Sequence, residues 1–66
     1  MSDTEKDKLV QALQLVANGV PMKQAAEEIG WKYQALRNRL GREYQSAGVN
    51  NVVHLTAIYF RLGLIR

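Results

Sequence analysis

Residues 32–42 carry Lys32, Arg37, Arg39 and Arg42 and no acid. Tyr33, Gln34 and Asn38 lie among them. Ammonium and guanidinium groups neutralise phosphates, and a guanidinium also matches the paired acceptors of guanine. A carboxamide matches the donor and acceptor that adenine shows in the major groove. These residue types therefore suit binding to a duplex rather than breaking bonds. The sequence has no Ser/His/Asp or Cys/His set and no phosphate-cradling glycine loop. Glu27 and Glu28 are adjacent on a short helix pattern, so their carboxylates diverge. No enzymatic activity is expected.

Composition sets further bounds. The chain has 66 residues, room for one domain over residues 1–66. A domain this small buries only about 60% of its unfolded surface, so added stabilisation is expected. Cysteine is absent and His54 is the only histidine, so neither a disulfide nor a metal site is expected. No cofactor is expected either. Oligomerisation is the remaining common remedy. The net charge is +3, and Asp3, Glu5 and Asp7 crowd residues 1–8. An acidic tail beside a basic segment is consistent with a phosphate-facing surface. No apolar run approaches the length of a membrane span, and no signal-peptide core follows the N-terminus. A cytoplasmic protein with no membrane partner is expected.

Four helical patterns must position these groups. The first is expected from about Thr4 to Asn18, capped by Asp3 or Thr4, with Leu9, Leu13 and Val16 inward and Val10 and Ala17 widening the stripe. Gly19 suits its end. The second spans about residues 21–29, opened by Pro21 and closed by Gly30, with Ala25, Ala26 and Ile29 on one side. Trp31 follows the turn, where it can plug the angle between two helices. The third spans about residues 33–47, with Leu36, Leu40, Tyr44 and Ala47 inward and Gly48 at its end. Gly41 in its interior costs about 1 kcal/mol relative to Ala. The fourth spans about residues 51–63 and takes Asn50 or Asn51 as cap. Val52, Leu55, Ile58, Tyr59 and Leu62 can face the core. Val53, Ala57, Phe60, Leu64 and Ile65 are left over, and a helix apolar on most sides must be buried on most sides. A second copy of the chain would bury them most economically.

The segments LQLVANGVPMKQAAEEIG, ALRNRLGREYQSAGV and NNVVHLTAIYFRLGLI resemble, in that order, the DNA-binding domain of LuxR-type (GerE-like) bacterial regulators. The core AAEEIGWKYQALRNRL is also similar to the helix-turn-helix of Fis and NtrC-type activators. The pattern departs from the LuxR type at Ala25, Ala35-Leu36, Arg39 and Glu43. The resemblance implies an all-α, four-helix LuxR-like helix-turn-helix domain whose second motif helix enters the major groove. It also implies a module with no sensor domain of its own.

By that resemblance, Arg37, Asn38 and Gly41 face the groove floor, with Arg37 assigned to guanine and Asn38 to adenine. Gln34 is assigned to the bases as well, with phosphate as its other partner. Lys23, Gln24, Lys32, Tyr33, Arg39 and Arg42 are assigned to phosphates. The plainer alternative for each is a solvated helix face. Trp31, Tyr44, Tyr59 and Phe60 are assigned to packing. The expected partners are double-stranded DNA and a second copy, joined through Val53, Ala57, Phe60, Leu64 and Ile65. The expected activity is sequence-specific transcriptional regulation. The competing reading is an anti-activator that pairs with a full-length LuxR-type regulator and no longer reads DNA.

Overall fold

A computed structural model of the chain describes residues 3–66. The described residues form four helices and no strand: α1 Asp3–Ala17, α2 Met22–Glu28, α3 Tyr33–Ala47 and α4 Val52–Arg61. α1 packs against α2 and α4, and α3 packs against the same two helices, so the four close a ring around one core. None of the helices is long and apolar enough to cross a membrane.

The core follows from the helical spacing of leucines. Leu9 and Leu13 of α1, Leu36 and Leu40 of α3 and Leu55 of α4 are fully buried. Each contributes about 1.5–3 kcal/mol by leaving water. Ala25 and Ala26 fill the centre of α2 and are also fully buried. Their small side chains bring the backbone of this short helix close to both α1 and α3. Ile29 and Tyr59 complete the wall, and Trp31 packs half-buried against it.

All four helices end in the same hydrogen-bond pattern. Val20 N–H donates to Leu15, Trp31 to Ala26, Val49 to Tyr44 and Leu64 to Tyr59, all at 2.9 or 3.0 Å. Each is the long bond of a Schellman motif, and an apolar residue follows each terminating glycine. At the α2–α3 turn the requirement for glycine is plain: Gly30 has φ of +79°, which strains any side chain, and this turn sets the angle between the two helices. α4 starts on Asn51, whose side chain accepts the His54 N–H at 3.0 Å.

Several sequence expectations shift. α1 already includes Asp3 and Thr4, so its cap falls outside the described residues. Pro21 is the cap residue of α2 rather than its first helical residue. Ala17 and Ala47, the last residues of α1 and α3, are exposed, while Val16 and Tyr44 in the same turns pack against the core. Leu62 is exposed and Ile65 is buried, the reverse of what a helix continued to residue 63 requires. The helix stops at Arg61, and Gly63 turns the chain at φ +76°. That turn breaks the helical phase. It lays Ile65 back against the core, whereas Leu62, ahead of the turn, keeps helical backbone and is exposed at the end of α4.

The returning tail is fastened to α1. The Gln14 side chain accepts the Arg66 N–H and donates to the Arg66 carbonyl, both at 2.6 Å. One carboxamide thus satisfies the donor and the acceptor of a single residue.

Candidate nucleic-acid interface

α3 presents its polar residues to solvent because Leu36 and Leu40 fix its inner face. Gln34, Asn38, Gly41 and Gln45 follow at i, i+4, i+7 and i+11, the spacing of one row along a helix. Gln34, Asn38 and Gln45 are exposed, and their amides make no hydrogen bond among the described residues. A Cβ built on Gly41 meets nothing within 4 Å. The fold therefore does not require this glycine, although α3 loses about 1 kcal/mol by having it.

A groove runs along each side of the row. The first has a volume of about 670 Å³ and lies between the start of α1 and α3. Lys8, Trp31, Lys32, Asn38 and Arg42 line it. The second has a volume of about 620 Å³ and is lined by Tyr33, Arg37, Gly41 and Tyr44 of α3 and by Asn50 and Asn51. Arg37 is exposed there, its Cζ 5.8 Å from the centre of the Tyr33 ring. That distance is within cation–π range and draws the guanidinium sideways. The Tyr44 phenol also feels Arg37. Burial raises its pKa above the ordinary 10.0, the Arg37 charge opposes that rise, and Tyr33 adds to it.

Arg39 departs most from its assignment. It is only 6% exposed, and so is not placed to meet a phosphate as expected. Its Nε lies 3.3 Å from Glu5 Oε1 on α1, and its Nη1 lies 3.1 Å from Glu43 Oε1 one turn along α3. The physical reason is desolvation: a guanidinium held inside must be matched by carboxylates. Tyr59 of α4 completes the cluster. Burial raises the pKa of its phenol, Glu43 raises it further, and Arg39 pulls it back.

The pairing also accounts for Glu43, the only acid of α3. Its carboxylate is turned to Arg39 on the inner flank, so the outward face of the helix carries no negative charge. Lys23 and Gln24 are exposed on α2, and Lys32 and Tyr33 are exposed at the start of α3. Among the described residues no group of three or more His, Asp or Glu side chains is placed to hold a metal ion.

Two members of this face are missing from the sequence assignments. Gln45 falls in the row seven residues after Asn38, and counting helical spacing is enough to find it. Lys8 belongs to the first groove only because α1 packs where it does, and no local pattern reports that.

On α4, Val53 is 69% exposed and Phe60 62% exposed. Ala57 and Leu64 are exposed beside them. Ile65, expected among these, is 3% exposed and belongs to the core, while Leu62 at 66% takes its place on the surface.

No protein-family model, curated protein or solved structure matches the chain.

Proposed function

We propose that this protein is a cytoplasmic transcriptional regulator that binds double-stranded DNA in a sequence-specific manner as a homodimer. In this reading α2 and α3 form a LuxR-like helix-turn-helix, and α3 lies in the major groove. The observation that carries it is the outward face of α3. α3 itself places no acid on that face, which is polar along its centre and cationic on both sides, with Arg37 on one flank and Lys32, Arg42 and Lys8 on the other, where Glu5 of α1 also lines the groove and pairs with Arg39. A helix in a major groove meets base edges along its centre and a phosphate strand on each side. Gln34 and Asn38 belong to the bases. Lys23, Gln24, Lys32, Tyr33 and Arg42 belong to the phosphates.

The homodimer rests on Val53, Ala57, Phe60 and Leu64 of the α4 segment, joined by Leu62. Two copies related by a two-fold axis would place their α3 helices in successive major grooves about one helical turn apart.

The test is a mobility shift against random-sequence duplex over a salt series. Affinity should fall steeply as salt rises, because each phosphate contact releases counterions. No retention of any duplex at low salt refutes the reading. The exposed apolar residues of α4 then favour the second reading, a module that blocks a LuxR-type regulator by pairing with it. That module ignores DNA and forms a mixed complex.

A further inference from the structure

We propose that α3 reads A·T base pairs through a row of three carboxamides, Gln34, Asn38 and Gln45, with Gly41 leaving a hollow for a thymine methyl group. The inference rests on the DNA-binding reading above and names the kind of site that reading selects.

The row faces solvent. Its three side chains are exposed and unengaged by other described residues. A carboxamide carries one acceptor and two donors on adjacent atoms. In the major groove adenine alone pairs an N6 donor with an N7 acceptor, and one carboxamide satisfies both at once. Guanine shows two acceptors there and calls for two donors, the pattern of a guanidinium. No guanidinium stands in this row. Arg37 leans over Tyr33 into the lateral groove, and Arg42 lines the groove on the opposite side. In this arrangement both serve the phosphate strands, and Arg37 is reassigned from guanine to the backbone.

Gly41 lies between Asn38 and Gln45 in the same row. Nothing inside the protein occupies the position of its missing Cβ. A glycine that weakens its helix and relieves no internal clash leaves a hollow on the outward face. The thymine C5-methyl is the apolar feature that the A·T pair presents in the major groove. From Gln34 to Gln45 the helix rises about 16 Å, comparable to about five base-pair steps.

Selection from a random-sequence duplex library, followed by titration of the winning duplex, tests the proposal. Selected half-sites should be dominated by A·T pairs. Asn38→Ala and Gln45→Ala should each weaken the selected duplex by about 5- to 160-fold, the value of one bidentate base contact. Both changes should weaken the selected duplex more than random duplex, so that the ratio of the two affinities falls. Replacing adenine by 7-deazaadenine in the selected duplex should reproduce the loss. Gly41→Ala should weaken the same duplex, and uracil in place of thymine at the facing position should restore the affinity. Circular dichroism shows whether each variant is folded. Selected sites dominated by guanine and lost with Arg37→Ala overturn the proposal while leaving DNA binding intact. An equal affinity of Gly41→Ala for the thymine duplex removes the hollow alone. Failure of the wild type to retain any duplex removes the DNA-binding reading and this inference with it.

Discussion

Arg39 and Glu43 form an inward-facing ion pair, 3.1 Å apart, on the flank of a helix whose outer face is basic. The pair removes one cation and the only α3 acid from that face together. Glu5 adds a contact from α1 at 3.3 Å, which ties the start of the first helix to the middle of the third.

Arg39→Ala should therefore act on stability before binding. Breaking a buried pair costs about 3–5 kcal/mol. Glu5 and Glu43 keep part of their solvent, with side chains 42% and 23% exposed, so about 2–3 kcal/mol is expected here. Urea denaturation measures it. A variant that keeps its denaturation midpoint but loses affinity for DNA would return Arg39 to the phosphates.

Lys23→Ala should weaken every duplex alike and lower the slope of log affinity against log salt by about 1. A change confined to the selected duplex would instead place Lys23 at a base.

Phe60→Glu should abolish self-association and leave the helical signal intact, because the ring is exposed on the protomer. Ile65→Glu should unfold the protomer, because that side chain lies in the core. Sedimentation at micromolar concentration separates the two. Wild-type protein that sediments only as monomer sinks the homodimer.

Asn51→Ala should cost about 1 kcal/mol by removing the side-chain cap on the His54 N–H. Thermal melts give the value. An unchanged melting temperature would mean that water replaces the cap at no cost.

Alkaline pH should destabilise the fold. The pKa values of Tyr44 and Tyr59 are raised above 10.0 in the folded chain, chiefly by burial. Their protonated form is thus favoured by folding. The stabilisation is complete below the unfolded value near pH 10 and is lost as pH rises through the higher folded values. Tyr59→Phe should flatten this decline in denaturation profiles taken across that range. An identical decline in the variant would assign it elsewhere.

The first three helices are legible because each carries its own ending, Gly19, Gly30 and Gly48 following amphipathic runs and preceding an apolar residue; Gly63 ends the fourth in the same way, but the apolar run on both sides of it hides that ending. Leu9, Leu13, Leu36, Leu40 and Leu55 declared the core by spacing alone. The inward place of Arg39 is not legible in the sequence, because its partner Glu5 is remote along the chain and an arginine in a basic helix looks like any other. Ile65 joins the core because Gly63, at positive φ, resets helical phase, and periodicity does not carry across it; Leu62 lies ahead of that turn and is exposed at the end of α4. Gln45 was within reach of counting, whereas Lys8 needed the packing of α1.

The clasp between Gln14 and Arg66 closes a loop of 52 positions, while the helix-ending bonds span only a few residues. Local contacts form quickly and distant ones wait for the chain to search. The helices and their turns should consequently appear first, with the tail docking on α1 as the late event. Amide exchange would register this as an Arg66 N–H that opens more readily than the amides of Leu36 and Leu40. The ring of helices then has a seam, and it lies where the first helix meets the returning tail.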